Sequence, residues 1–496
     1  MANSEKLTKG LSDKAKKTLI MTIVIALILV CVGGYFVYIS GLVPRLLTGA
    51  KIVETVDGTQ KTIDNVSVLE MRYHYQAVVQ QYNMYGYGSQ ITDFDQIADP
   101  TTGKTYRDQM LDQAALGIVN CCIINREANN NPDFVSGAER YNEMNISSLE
   151  STAEAYGYTT VDMLLQGLYG RGMTLRLYNQ FCNEQTVNDE YQYYVRQFVC
   201  PPTDEEIQAV FDQDPGQYDK VNFNFYYFPA LVDAEGNVDQ DSLADVTAKA
   251  QTVADTAADS ATFRAAVMEA LEGQDTALQA FADDKNPTYC EDYTRSSMTY
   301  FAEGFTEFLF DEANPGDTKV ITTDNGAYVL LLIDHHCDDE ITVSYRTLTL
   351  NRDENETTEE MMAQAAQIAG QVTDEKSFNN LVKQYSEVAS EIMTGGINEG
   401  VQHKMYEPNQ NGWISQQNST VGSWLFDEVR VKGDVNYVMA DDGLSVTIYF
   451  FIRSNPAWMD TIREQLTNEH LSAWSAERMA TNPTYVIDYD TVKRFL

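Results

Sequence analysis

The sequence predicts an α+β protein with an N-terminal transmembrane helix, a helical domain, two successive α+β units and a C-terminal helix. Three observations support this prediction. An uncharged apolar run extends from Leu19 to Val43, helical periodicity dominates residues 45–217, and one order of elements occurs twice between residues 218 and 454. That order is a strand, helices, a glycine turn and a last strand, which predicts a small antiparallel sheet in each unit.

The apolar run is longer than the roughly 20 residues that cross a bilayer as a helix. Five lysines and only two acidic residues precede it, which predicts a cytoplasmic N-terminus. A cleavable signal peptide is the alternative, although no A-x-A-like site follows the run. The sequence therefore predicts a single-pass protein of a bacterial cell membrane, with an extracytoplasmic ectodomain.

Acidic residues dominate the remainder of the chain. The protein has 73 acidic and 34 basic residues. Without the seven charged residues that precede the apolar run, 71 acidic residues remain against 29 basic ones. Because no segment of this part concentrates Lys or Arg on one face, a nucleic-acid partner is excluded.

The region after the apolar run has clear signals for helix starts. Ser67 is predicted to open a helix over residues 68–85, and Thr105 to cap a second one. Thr203-Asp204-Glu205-Glu206 has the spacing of a capping box. Tyrosines and methionines form a stripe between Met71 and Tyr85, which is either core packing or an adaptable apolar surface for unfolded chains.

The second α+β unit has the more distinctive pattern. Its first strand is predicted at Val343–Leu350, and its last at Ser445–Ile452. Between them lie a helical segment, the stretch FNNLVKQYSE from Phe378 to Glu387, and a Gly395-Gly396 turn.

This order resembles the parvulin family of peptidyl-prolyl isomerases, through the first strand, the F-x-x-L-x-x-x-Y-S-E stretch, the Gly-Gly pair and the last turn and strand. The helical region, with its V-D-G strand and T-D-E-E helix start, resembles the chaperone domain of SurA-like and PrsA-like extracytoplasmic foldases. The resemblance implies a protein-folding function. It also implies that the C-terminal helix packs back on the helical domain.

The resemblance assigns candidate site residues in both units. Active parvulins have two catalytic histidines, and the corresponding positions here are Phe225 and Tyr328 in the first unit and Thr347 and Ser445 in the second. The resemblance thus implies degenerate domains in which an isomerase activity is doubtful. Substrate-binding positions are predicted at Phe301, Phe305, Tyr328, Trp424 and Phe426.

The predicted boundaries divide the chain into six parts. They are a cytoplasmic tail at 1–17, a transmembrane anchor at 18–43, a helical SurA-like domain at 45–217, parvulin-like units at 218–338 and 339–454, and a C-terminal helix at 455–496.

Metal, cofactor and disulfide chemistry receive little support. His335, His336 and Cys337 are ligand types, but a solvated hinge between the two units is the plainer interpretation. No metal site and no cofactor are predicted. A disulfide between Cys290 and Cys337 is conceivable in an oxidising compartment.

The sequence therefore predicts a membrane-anchored chaperone that binds nascent or unfolded secreted polypeptides, with the translocon as a further possible partner. Two alternatives stay open. One is an active peptidyl-prolyl isomerase. The other is a non-enzymatic component of an envelope assembly, in which the parvulin-like units bind a dedicated protein partner.

Overall fold

The computed structural model describes residues 13–56, 58–86, 91, 93–283, 287–353, 356–408, 412–480 and 483–496. Over these residues the chain is an α+β protein in which helices accompany antiparallel sheets of three, two, four and four strands. The α+β part of the predicted fold class agrees with this architecture. Most of the predicted tail at 1–17 lies outside the described residues.

The first helix, α1, spans Asp13–Ile39 and exposes apolar side chains such as Leu29 and Phe36. Within the described part of the chain, no helix combines the length and the apolar character needed to cross a membrane. This finding contradicts the predicted anchor at 18–43 and the single-pass localisation that was inferred from it.

The helical domain follows. Its helices are α2 (Leu42–Leu46), α3 (Val68–Met84), α4 (Tyr106–Asn130), α5 (Ala138–Ala155), α6 (Val161–Tyr169), α7 (Leu175–Phe198) and α8 (Asp204–Phe211). The side chain of Ser67 accepts a hydrogen bond from the backbone N–H of Glu70 in the first turn of α3, while Thr105 and Thr203 form capping boxes at α4 and α8. These contacts satisfy N–H groups that lack a partner within the helix. The predicted starts at Ser67, Thr105 and Thr203 are confirmed.

Short strands flank these helices. The strands β1 (Thr48–Val56) and β2 (Thr59–Ser67) form a hairpin, and β3 (Ile97–Asp99) pairs with β4 (Lys104–Thr105). The β1–β2 hairpin packs on α3 and α4 through buried apolar side chains, among them Ile52, Met71 and Leu111. This packing gives the helical domain its principal core.

The first α+β unit, hereafter unit 1, is built on a four-stranded antiparallel sheet in the order β6-β5-β8-β7. Its strands are β5 (Asp219–Pro229), β6 (Tyr289–Thr294), β7 (Thr318–Thr323) and β8 (Gly326–Cys337). The helices α9 (Gln240–Thr256), α10 (Ser260–Ala270) and α11 (Asp275–Asp283) cover one face of the sheet. Residues 295–312, which contain the short helix α12 (Phe305–Glu307), cover the other face.

The second α+β unit, hereafter unit 2, has the equivalent strand order, β10-β9-β12-β11. Its strands are β9 (Ile341–Asn351), β10 (Ile397–Gln402), β11 (Val435–Met439) and β12 (Ser445–Pro456). The helices α13 (Thr358–Ala369) and α14 (Glu375–Tyr385) cover one face, α15 (Ala389–Thr394) leads into β10, and α16 (Gln416–Leu425) covers the other face. In both units the first and last strands pair at the centre of the sheet.

The Gly395-Gly396 turn connects α15 to β10. Both glycines have positive φ angles, of +70° and +71°. A Cβ atom on Gly396 would lie 2.0 Å from the carbonyl oxygen of Thr347, and one on Gly395 would lie 1.9 Å from Oδ1 of Asn379. Only glycine fits such a conformation and such close contacts. The turn that the sequence predicts here is confirmed.

The residues after unit 2 return to the helical domain. The helix α17 (Ala457–Ala480) packs Trp474 near Tyr191, with ring centroids 6.4 Å apart, and its Arg478 forms an ion pair of 2.6 Å with Glu127. The strand β13 (Thr484–Ile487) then pairs with β1 and makes the hairpin a three-stranded sheet. The helix α18 (Tyr489–Lys493) closes this end by burying Val492 completely.

Candidate functional site

Unit 1 brings together the aromatic residues that the sequence assigns to a binding site. Alternation along β5 points Phe223 and Phe225 to the same face of the sheet. On that face lie Phe301, Phe305 and Tyr328, which come from the segment before α12, from α12 itself and from β8. We call Phe225, Phe301, Phe305 and Tyr328 the aromatic site.

Phe305 is the centre of the aromatic site. Its ring centroid lies 5.2 Å from that of Phe301, 5.3 Å from that of Tyr328 and 6.0 Å from that of Phe225. Most of these pairs are edge-to-face, an arrangement that aromatic rings favour. The rings therefore support one another in fixed orientations.

The site is partly open to solvent. Phe305 is fully buried, whereas the other three rings are half-buried. Tyr300, directly before Phe301, has 96 % of its surface exposed. The site thus presents aromatic surface on a buried aromatic base, and such a surface suits apolar, prolyl or aromatic side chains.

The equivalent face of unit 2 does not bring Thr347 and Ser445 together. In the β9–β12 register Thr347 lies opposite Tyr449, whereas Ser445 lies opposite Asn351 at the end of the strand. The backbone N–H of Thr347 donates to the carbonyl oxygen of Gly396 over 2.8 Å. Thr347 is thus part of the Gly-Gly turn contact, and Tyr449 is the residue that faces it.

The other two predicted residues of unit 2 lie on the face that α16 covers. Trp424 has its ring centroid 6.5 Å from that of Tyr449, and Phe426 packs 6.1 Å from Tyr406. The hydroxyl groups of Tyr345 and Tyr406 are hydrogen-bonded at 2.6 Å. Burial raises the pKa of Tyr449 to about 12 and also raises the pKa of Tyr406. These phenols are therefore neutral near pH 7 and do not act as bases.

A carboxylate that the sequence did not single out lies beside this face. Glu391 accepts hydrogen bonds of 2.8 Å from both the backbone N–H and the hydroxyl of Thr349, and a third of 2.5 Å from the Ser386 hydroxyl. The Thr349 hydroxyl is also 3.1 Å from that of Thr447. With three donors on its oxygens, Glu391 is held as a structural acceptor that ties α15 to β9.

Buried charges fasten unit 2 to the helical domain. Lys383 of α14 lies 3.0 Å from Glu190 of α7, and their side chains are only 3 % and 0 % exposed. Glu190 also accepts hydrogen bonds from the Ser136 hydroxyl and the Gly137 N–H. Lys383 donates to the carbonyl oxygens of Ile392 and Met393 as well. Both buried ions are thus paired with each other and hydrogen-bonded to further groups, as buried charges require.

Arg346 makes a second contact between unit 2 and the helical domain. This completely buried side chain leaves β9 and donates to Gln197 of α7 over 2.8 Å and to Glu375 of α14 over 3.0 Å. Its guanidinium carbon lies 5.1 Å from the ring centroid of Phe198, a cation–π contact. A single charged residue inside the strand VSYRTLTL is the sequence signal that could have indicated this role.

Unit 1 is attached differently. Trp458 of α17 stacks on Phe211 of α8 with ring centroids 4.0 Å apart, and Phe211 in turn stacks on Tyr218 at 5.8 Å. Lys220 forms an ion pair of 2.7 Å with Asp338, at the junction of the two units. On unit 1 these contacts involve residues at the start of β5 and directly after β8.

The Met71–Tyr85 stripe was predicted to be either core packing or an apolar surface, and the structure shows both. Met71 and Tyr75 are buried in the core. Met84 and Tyr85, at the end of α3, are 83 % and 68 % exposed. The first part of the stripe is therefore core, while its end is apolar surface.

A cavity of about 360 Å³ is lined by helices of the helical domain and by Met393 of unit 2. Three tyrosines, Tyr73, Tyr141 and Tyr178, contribute to its walls together with amide side chains such as Asn145 and Asn179. These groups offer ring faces, hydrogen-bond donors and acceptors, the combination that an extended peptide uses.

His335, His336 and Cys337 lie at the end of β8, where they pair with β5, so the predicted hinge between the two units is wrong at these residues. His335 lies 2.8 Å from Asp219, and His336 lies 3.0 Å from Asp334. Cys290 and Cys337 are both free thiols, so the conceivable disulfide between them is not formed. In the described ranges no group of three or more metal-ligating side chains converges.

The chain matches no family model, and a comparison with curated proteins found no match.

Proposed function

We propose that this chain is a folding chaperone that binds unfolded polypeptides at the aromatic site of unit 1. One observation carries the proposal. Phe225, Phe301 and Tyr328 lie half-buried around the fully buried Phe305 on one face of the unit 1 sheet. Apolar side chains of an unfolded chain gain stability when they leave water for such a surface, by roughly 25 cal/mol per Å² of apolar area.

Binding without catalysis agrees best with the side chains at this site. Phe225 and Tyr328 occupy the positions at which the resemblance to parvulins requires histidines. A phenylalanine ring neither donates nor accepts a conventional hydrogen bond, so Phe225 offers no polar assistance to rotation about an X-Pro bond. The barrier to that rotation is roughly 18–20 kcal/mol without a catalyst.

Unit 2 and the helical domain form the support in this proposal. The buried Glu190–Lys383 pair and the hydrogen bond from Arg346 to Gln197 keep unit 2 on α7. The exposed Met84 and Tyr85 add a second apolar surface, on which a flexible methionine adapts to many side chains. A client held at both surfaces would gain from the high effective concentration of the second one.

The test is a pair of refolding assays with the full chain. One client refolds in a slow phase limited by proline isomerisation, which takes tens to hundreds of seconds. A second client lacks that phase and aggregates on dilution from denaturant. We expect the protein at a stoichiometric ratio to suppress the aggregation at least several-fold and to leave the slow phase unchanged.

Variants locate the activity. Phe305→Ala is a poor choice because removing a buried phenylalanine costs about 3–5 kcal/mol and would unfold unit 1. Phe301→Ala combined with Tyr300→Ala removes exposed ring surface instead, and it should weaken the suppression. Tyr156→Ala is the matched control, since Tyr156 is 75 % exposed on the helical domain. Equal suppression by all three proteins would contradict the role of the aromatic site.

Two alternatives are separated by the same assays. The hydroxyl-rich face of unit 2, where Thr347 lies opposite Tyr449, favours an isomerase as the second candidate. A faster proline-limited phase that Thr347→Val abolishes would establish it. If neither assay responds, the chaperone proposal fails, and a dedicated protein partner should be sought.

A further inference from the structure

Three exposed carboxylates lie within four residues of Phe301, Phe305 or Tyr328 in the sequence of unit 1. Glu303 lies midway between Phe301 and Phe305, and Glu307 follows in α12; both side chains are exposed. Asp324, also exposed, lies in the turn between β7 and β8, next to Asn325, whose carbonyl oxygen accepts a hydrogen bond of 2.8 Å from Tyr227.

The basic side chains near this face are already neutralised. Arg295 forms an ion pair of 2.6 Å with Asp311, and Lys319 forms one of 2.7 Å with Glu312. Among the described residues, Glu303, Glu307 and Asp324 have no ion-pair partner. Their negative charges therefore remain available beside the aromatic rings.

The charge of the whole chain adds to this local effect. From Arg45 onward 71 acidic residues face 29 basic ones. A strong net negative charge attracts positively charged ligands over a distance set by the screening length, about 8 Å at physiological ionic strength. A cation beside the aromatic site is also attracted by the negative faces of the rings.

We infer that the aromatic site selects basic apolar segments of unfolded chains. Its ligand is an extended peptide with a prolyl or aromatic side chain and a Lys or Arg within a few residues of it. The apolar side chain lies on the ring surface around Phe305, while the cation lies near Glu303, Glu307 or Asp324. This inference rests on the proposed function, since it assumes that unit 1 binds polypeptides.

The test measures the binding of labelled peptides to the full chain by fluorescence anisotropy. The peptides share one core of phenylalanine and proline and differ only in flanking Lys, Gln or Glu residues. At an ionic strength of about 0.01 M we expect the Lys peptide to bind roughly 10-fold more tightly than the Gln peptide, and the Glu peptide more weakly than both. At about 1 M the ratio should fall to roughly 2-fold or less, because the screening length is then about 3 Å.

A charge-neutralised variant locates the selection. Glu303→Gln with Glu307→Gln should reduce the ratio of the affinity for the Lys peptide to that for the Gln peptide at least 3-fold. The matched control is Glu269→Gln with Glu272→Gln. These two residues are also exposed, but they belong to the α10 region, which packs on the opposite face of the sheet.

Each outcome has a separate meaning. Equal binding of the three peptides would overturn the inference and leave the proposed function intact. A Lys preference that the Glu303/Glu307 variant retains, or that the control variant loses to the same extent, would also overturn it. Failure of all three peptides to bind would overturn the inference together with the proposed function.

Discussion

The side chain of Lys383 is only 3 % exposed, and its ammonium group pairs with the fully buried carboxylate of Glu190. Burial removes the water that hydrates each ion, so either charge would destabilise the fold if its partner were absent. The pair joins α14 to α7, and so two residues 193 positions apart fix the orientation of unit 2.

At this scale we predict that Lys383→Ala destabilises the chain by about 3–5 kcal/mol, since it leaves Glu190 buried without a counter-charge. The midpoint of urea unfolding is the measurement. Lys376→Ala is the control, because Lys376 pairs with Asp133 at 3.1 Å with side chains 45 % and 61 % exposed. An exposed pair contributes about 1 kcal/mol or less. Equal effects of the two substitutions would contradict the role assigned to Lys383.

The site residues differ in whether their neighbours could be predicted from the sequence. Phe301 and Phe305 are near in sequence, and they do lie together. The resemblance to parvulins assigns Ser445 to a histidine position, but the strand partner of Ser445 is Asn351 and not Thr347. Tyr449 is the residue opposite Thr347, and nothing local in the sequence distinguishes it.

At the scale of the element, turns and helix starts carry their own signals. The caps at Thr105 and Thr203 and the Gly395-Gly396 turn depend on a few adjacent residues, and so they were predictable from sequence. Strand pairing is different, since β9 meets β12 only after roughly a hundred intervening residues. The strand order shared by the two units became apparent only from this pairing.

We predict that Gly396→Ala destabilises unit 2 by more than about 2 kcal/mol. The left-handed conformation alone costs an alanine about 1–2 kcal/mol, and the new Cβ would in addition collide with the backbone oxygen of Thr347. Gly443→Ala is the control, because Gly443 has a φ of +66° with no neighbouring atom within 4 Å of a Cβ. Thermal unfolding of the two variants separates the conformational cost from the collision. Identical shifts would show that the contact with Thr347 is unimportant.

At the scale of the whole molecule, the two units differ in how they are held. Unit 2 is fastened by buried ions, whereas unit 1 depends on the stacked rings of Trp458, Phe211 and Tyr218 and on junction contacts. This difference could not be foreseen, because both units have the same order of elements, and the contacts that distinguish them come from other parts of the chain.

We predict that Trp458→Ala loosens unit 1 without disturbing unit 2. Hydrogen exchange should become at least several-fold faster in residues 216–221 and stay unchanged in α7 and α14, because the stack on Phe211 is lost while the Glu190–Lys383 pair remains. Trp413→Ala, at a tryptophan that is 65 % exposed, is the control. Faster exchange in α7 would mean that Trp458 supports the helical domain rather than unit 1.

The pairing of β13 with β1 has a consequence for synthesis. The strand β1 ends at Val56 and its partner begins at Thr484, roughly 430 residues later. At a translation rate of about 5–20 residues per second, β1 lacks this neighbour for on the order of 20–90 s after it leaves the ribosome. A chain whose synthesis stops before Thr484 therefore leaves one edge of β1 unpaired. This exposed edge distinguishes incomplete chains from complete ones.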